Sequence, residues 1–179
     1  MTSIITTSAE AAHSLAVSLL SKAQIQPGAT IPEHPVKETT PTSSAPLTFS
    51  GKSVIVGVPG AFSGTCTVQI PGYINNYDKF KAKGVNEVYV VAVNDVFAMK
   101  AWKEHLAPTG TGVRFMADDK GTFTSALGLM FDATPKFGAP RSKRYVIIAE
   151  NDKVESIFIE EDPSQATITR AETVLSHLT

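Results

Sequence analysis

The chain holds 179 residues, 42% of them hydrophobic and 18% charged, which is enough apolar material for one compact core and one domain of ordinary size. Sixteen Lys plus Arg against seventeen Asp plus Glu give a formal net charge of −1, excluding the bulk attraction that draws proteins to nucleic acid or anionic membranes and favouring a small neutral substrate. No window reaches the roughly 18 consecutive apolar residues of a membrane span, and the N-terminus has neither the basic nor the apolar region of a secretory signal. Glu10 with a single early Lys22 argues weakly against a mitochondrial presequence, so a soluble, cytoplasmic protein is expected.

Thr7-Ser8-Ala9-Glu10 has the spacing of a capping box, and Leu15, Leu19 and Leu20 recur near helical spacing, so a helix is predicted from Ser8 to about Ala23. Residues 1–26 are read as an N-terminal helical extension and residues 27–179 as the domain proper. Pro27, Pro32, Pro35, Pro41 and Pro46, among many Ser and Thr, predict an irregular segment up to Ser50. Ser53–Val58 is a β-branched run that reads as a strand buried on both faces. It runs into the loop Pro59-Gly60-Ala61-Phe62-Ser63-Gly64-Thr65-Cys66. A helix is predicted over Thr67–Lys83, interrupted near Pro71-Gly72 and closed by Gly84.

Glu87–Asn94 predicts a second buried strand and Val96–His105 a helix. Val113–Met116 predicts a third strand and Thr122–Leu127 a short helix. Tyr145–Ala149 and Val154–Ile159, joined by Glu150-Asn151-Asp152-Lys153, read as an antiparallel hairpin, and Ala171–Leu178 as a closing helix. Parallel βαβ units followed by a hairpin and a helix predict an α/β chain with a mixed central β-sheet flanked by helices, as in thioredoxin-like folds. A doubly wound sheet with an antiparallel edge is the alternative. Either fold gathers its chemistry beyond the C-terminal end of the first strand, where Cys66 falls.

Cys66 is the only cysteine, which excludes an intramolecular disulfide, a Cys-rich metal site and a Cys-x-x-Cys pair. A lone cysteine is often just a small buried hydrophobe. Its neighbours argue otherwise. An ordinary thiol, with a pKa of roughly 8.5, is mostly protonated at neutral pH, while the thiolate is the nucleophile. A helix start offers unpaired N–H groups and the positive dipole end to such an anion. Ser63 is placed to turn its hydroxyl toward the sulfur or a bound oxygen, and Pro59 and Phe62 to limit water. The expectation is a sulfur held as an accessible anion.

The spacing Pro59-x-x-x-Ser63-x-x-Cys66 is similar to the active-site motif of peroxiredoxins. Val58-Pro59-Gly60-Ala61-Phe62, Pro71-Gly72-Tyr73, Val93-Asn94-Asp95, Ala101-Trp102 and Arg141-Ser142-Lys143-Arg144-Tyr145 resemble the type II, or peroxiredoxin-5-like, subfamily. The resemblance covers roughly Pro27 to Leu178. It implies that Cys66 is the peroxidatic cysteine, that Ser63 fills the Thr/Ser role and that Pro59 shields the pocket. Arg144 becomes the catalytic arginine, with Arg141 as a weaker alternative; a guanidinium stays charged and presents several donors in one plane. Trp102 reads as a core or subunit-interface residue.

Two departures stand out. Pro71 follows Cys66 by five residues where the subfamily's Pro-Gly-Tyr begins after six, and no resolving cysteine is present. The expected function is a thiol-dependent peroxidase acting on hydrogen peroxide and alkyl hydroperoxides through a Cys66 sulfenic acid. No bound cofactor or metal is expected. An external thiol, glutathione with glutaredoxin or else thioredoxin, is the expected reductant, and a homodimer the expected assembly. Two alternatives stand beside this reading: a thioredoxin-like peroxide sensor that relays oxidation to a partner protein, and a Cys-His hydrolase using one of His13, His34, His105 or His177.

Overall fold

The computed structural model describes residues 24–178. The helix expected over Ser8–Ala23 lies outside them. Strands β1 (Lys52–Val58), β2 (Val85–Ala92) and β3 (Arg114–Ala117) are parallel. β6 (Tyr145–Glu150) pairs antiparallel with β1, and β7 (Lys153–Ile159) antiparallel with β6, in the order β3-β2-β1-β6-β7. This is the expected mixed sheet of a thioredoxin-like fold, with β2 beginning two residues earlier and β3 one residue later than the apolar runs suggest. A two-stranded sheet of β4 (Met130–Phe131) and β5 (Arg141–Ser142) stands apart. Strands this short carry no periodicity to read.

Alternation along the central strands builds two cores. Val54, Val56 and Val58 of β1 and Val146 and Ile148 of β6 face one side. They meet helices α1 (Gly64–Asn75), α2 (Tyr77–Ala82), α3 (Val96–Leu106) and α6 (Ala171–His177), which bring Ile70, Tyr73, Phe80, Met99, Trp102 and Val174. Ile55, Tyr145, Ile147 and Ala149 face the other side, against Ile31, Leu47 and the Phe123 of α4 (Thr122–Ala126). Each fully buried side chain of this size contributes about 1.5–3 kcal/mol over leaving it in water. Gly57 is dictated by its cross-strand partner: a Cβ there would fall 2.0 Å from the Tyr145 ring.

The helix after Cys66 differs from expectation. It runs unbroken through Pro71, and the break comes at Asn76. Proline removes one backbone donor from the ladder. Here the buried face of Cys66, Gln69, Ile70 and Tyr73, at helical spacing, holds the turn in place. Asn76 ends the helix by folding its amide back onto the Gly72 carbonyl, 2.8 Å away. Two carboxylates fix the surroundings. Asp95 caps α3 by accepting from the Ala98 N–H at 2.9 Å, and buried Asp118 caps α4 through the Phe123 and Thr124 N–H groups.

Candidate active site

Cys66 lies in the first turn of α1, directly past the end of β1. Ser63 occupies the N-cap position with extended backbone angles but makes no capping bond with its side chain. Its carbonyl accepts from the Thr67 N–H at 2.9 Å, while its hydroxyl has no hydrogen-bond partner among the described residues. No acidic residue occupies the first turn, so nothing there offsets the positive end of the helix. The loop leading in is pinned from the turn after β2: Asn94 accepts from the Ala61 N–H at 3.0 Å.

Across from this turn, Arg144 stands immediately before β6 with 1% of its surface exposed. One terminal nitrogen donates to Cys66 Sγ at 3.3 Å and to the Pro163 carbonyl at 2.9 Å. Nε donates to that same carbonyl at 3.0 Å, and the other terminal nitrogen donates to Gln69 Oε1. Arg144 has no ion-pair partner among the described residues. A buried guanidinium normally demands a counter-charge. Here Asp162, lining the same cavity, feels its charge without pairing with it, and the Cys66 sulfur stands within hydrogen-bond reach.

The sulfur itself is more enclosed than expected. Cys66 is fully buried, not accessible, because the inward face of α1 carries it into the core cluster with Ile70 and Tyr73. Solvent comes near through a cavity of about 440 Å³ lined by Pro59, Ser63, Thr65 and Arg144 on one side. Phe131, Ala133 and Pro135 with Phe137 of helix α5 (Thr134–Phe137) form its apolar wall. Pro59, Ser63 and Arg144 thus line one cavity, and of the three Arg144 is the one that hydrogen-bonds Cys66.

Other candidates lie elsewhere. Arg141 donates to the Val93 carbonyl and lies over the Phe137 ring at 5.6 Å, bracing the cavity wall without touching the sulfur. Phe62 does not line the cavity. It is half exposed, with a positive φ of 59°, and packs beside Trp102 and His105. Trp102 is a core residue whose indole N–H donates to Thr67 Oγ1 at 3.3 Å. Neither His34, His105 nor His177 hydrogen-bonds Cys66, which leaves the Cys-His hydrolase without its base among the described residues.

Sequence reasoning missed Gln69 and the segment from Glu160 to Arg170. Gln69 Nε2 donates to the Thr169 carbonyl at 2.8 Å and to Thr169 Oγ1 at 3.0 Å. Glu160 accepts from the backbone N–H and the hydroxyl of both Thr167 and Thr169. Burial works to raise the Glu160 pKa, but these donors outweigh it and hold the carboxyl below its ordinary value of 4.5. One signal was available: Gln69 lies three residues past Cys66, on the same helix face.

The redoxin family matches residues 26–175. Peroxisomal membrane associated protein 20 of Schizosaccharomyces pombe is 46% identical over 152 residues, covering 84% of this chain and 97% of that protein. Among solved structures, reduced Prx3 of Vibrio vulnificus in complex with H2O2 superposes with a TM-score of 0.80 at 38% identity, covering 87% of this chain and 96% of the other. Peroxiredoxin 5 of Alvinella pompejana superposes with a TM-score of 0.76 at 34% identity, covering 85% and 96%. With a family match over most of its length and such relatives on either side, the chain belongs to the redoxin family and, within it, is a peroxiredoxin of the type II, peroxiredoxin-5-like class, a thiol peroxidase that needs no prosthetic group.

Proposed function

We propose that Cys66 is the peroxidatic cysteine, reducing hydrogen peroxide and alkyl hydroperoxides, with Arg144, Ser63 and Pro59 completing the site. The observation that carries this reading is the Arg144 nitrogen 3.3 Å from Cys66 Sγ, in a buried guanidinium that hydrogen-bonds no carboxylate. The thiolate attacks one peroxide oxygen. An S–O bond forms as the O–O bond breaks, and the sulfur loses the two electrons that the peroxide gains. The leaving hydroxide or alkoxide takes up a proton and departs as water or alcohol, and Cys66 becomes a sulfenic acid.

Arg144 faces both the thiolate and the oxygen on which charge develops, so it stabilises charge as it moves rather than in one state alone. Ser63 offers an uncommitted hydroxyl to a bound oxygen. Pro59 and the wall of Phe131, Ala133 and Phe137 exclude water and give an alkyl tail an apolar seat.

With no second cysteine in the chain, the sulfenic acid condenses with an external thiol, releasing water, and another thiol reduces the mixed disulfide. Glutathione with glutaredoxin is the proposed reductant and thioredoxin the runner-up. Residues 27–179 form the proposed peroxidase domain, and 1–26 an N-terminal helical extension. Exposed Phe62, four residues before Cys66, and exposed Phe97 of α3 suit a homodimer contact. No helix among the described residues is long and apolar enough to cross a membrane. The proposed location is the cytoplasm, with the mitochondrion and the peroxisome, the latter named for the S. pombe relative, as the alternatives that fractionation decides.

Peroxide consumption is the test, with glutathione and glutaredoxin compared against thioredoxin. Turnover with the first system and Cys66 sulfenic acid trapped by dimedone is the expected result. A Cys66→Ser protein that still consumes peroxide with thiols would remove the assignment.

A further inference from the structure

Cys66 Sγ, Arg144, Gln69, Thr169 and Glu160 form one continuous chain of hydrogen bonds, and its far end is a carboxylate with 7% of its surface exposed. We propose that Glu160 is a positioning residue for the Cys66–Arg144 pair: its carboxylate, together with the Thr169 carbonyl, fixes the direction of this chain, so that the carbonyl oxygen of Gln69, and not its amide NH2, meets the guanidinium. The inference rests on Cys66 and Arg144 being the reacting pair.

The direction follows from donor counting. An ionised carboxylate only accepts. The Thr169 hydroxyl has one proton, committed to Glu160 Oε1 at 2.8 Å, so only its lone pairs remain for Gln69. Both hydrogens of Gln69 Nε2 then find acceptors on Thr169, in the hydroxyl and the carbonyl. Gln69 Oε1 must therefore point the other way, at Arg144. With the amide reversed, an NH2 group would oppose a guanidinium, donor against donor, and push it off the sulfur.

A second arm acts on the same cation. The Glu160 N–H donates to the Arg144 carbonyl at 3.0 Å. Its carboxylate gathers Thr167 and Thr169 and so closes the loop carrying Pro163. That loop is also held to the cysteine helix, where the Thr65 hydroxyl donates to the Ser164 carbonyl at 2.9 Å. The Pro163 carbonyl accepts twice from Arg144 and sets the plane of the guanidinium. The hydrogen bonds from Thr167 and Thr169 keep Glu160 ionised at neutral pH in spite of its burial, as a fixed direction requires.

Glu160→Gln tests this in the full chain, because it preserves shape while giving Thr169 an amide that either donates or accepts. The rate of Cys66 oxidation by peroxide, from rapid quenching, dimedone trapping and intact mass, should fall about tenfold, the size at which loss of an outer hydrogen-bond partner commonly registers. Thr169→Val should slow oxidation comparably, Thr169→Ser should restore it, and the Glu160→Gln/Thr169→Val double variant should be no slower than the slower single. The Arg144 guanidinium N–H signals in NMR spectra should be sharp and protected from solvent exchange in the parent protein and should broaden in Glu160→Gln. A merely structural staple would move none of these apart from overall stability.

Parent-like oxidation and protected Arg144 signals in Glu160→Gln would overturn the proposal, and so would effects of the two single variants that multiply. If Glu160→Gln does not fold, the Thr169 pair decides: parent-like oxidation in Thr169→Val overturns the proposal, and slow oxidation restored by Ser supports it. Arg144→Ala runs alongside. Should it oxidise as fast as the parent, the reading of Arg144 itself fails; should it be slow while Glu160→Gln is not, only the role of Glu160 fails.

Discussion

Two arginines contact the central sheet, and their partners divide them sharply. Arg114, at the start of β3, grips the Glu38 carboxylate through Nε and a terminal nitrogen, lies 5.2 Å above the Tyr89 ring and has Glu87 nearby. The hydrogen bonds to Glu38 bind its proton more firmly than usual. Arg144 is far more deeply buried, yet its hydrogen bonds go only to neutral oxygens and a sulfur. Arg114 is electrically satisfied and serves the surface. Arg144 hydrogen-bonds no carboxylate, although Asp162 across the cavity feels its charge, so its donors are not committed to a fixed anion as those of Arg114 are.

That contrast can be broken in stages. The largest effect is expected from Cys66→Ser, which removes the anion altogether and should abolish thiol-dependent peroxide consumption. Arg144→Ala should slow Cys66 oxidation by about 100-fold to 1,000-fold, the usual cost of removing one preorganised donor at a site of developing charge, measured by quenched-flow mass spectrometry. Arg144→Lys should recover part of that, since it keeps the charge but not the fork.

Gln69→Glu gives Arg144 the kind of partner that Arg114 already has. Competition for the guanidinium should slow oxidation by about tenfold, since a carboxylate at this range shifts such equilibria by roughly one to three powers of ten. An unchanged rate in the folded variant would remove the contrast. Arg114→Ala should leave oxidation within about twofold and cost about 1 kcal/mol or less on denaturant unfolding, because its ion pair is part-exposed.

The smallest effect concerns acid. Glu160 has a lowered folded-state pKa, so its stabilising contribution is fully present above its ordinary value of 4.5 and is lost as the pH falls through the folded value below that. Thermal unfolding of the parent should therefore decline on acidification below about pH 4.5, and Glu160→Gln should flatten that decline.

Much of this molecule is legible in its sequence because its central strands are covered on both faces. Ser53–Val58 and Tyr145–Ala149 announce themselves as apolar β-branched runs, and Pro59, Ser63 and Cys66 lie close together in one loop. Arg144 is 78 residues from Cys66 and was legible only through family resemblance. Gln69 offered only its spacing of three residues from Cys66, and Thr169 and Glu160 were not legible at all. A polar network closes only in three dimensions, and isolated Gln, Thr and Glu residues look like ordinary surface until their partners are placed. The helix through Pro71 went the other way: local propensity argued for a break, and burial of Ile70 and Tyr73 overrode it.

The indole of Trp102 donates to the hydroxyl of Thr67, one residue beyond the thiol, and it is the chain's only tryptophan. Its emission therefore comes from a single place, at the first turn of the cysteine helix. Any shift of this turn on oxidation or reduction of the neighbouring sulfur is expected to register as a change in tryptophan fluorescence, read without an added dye.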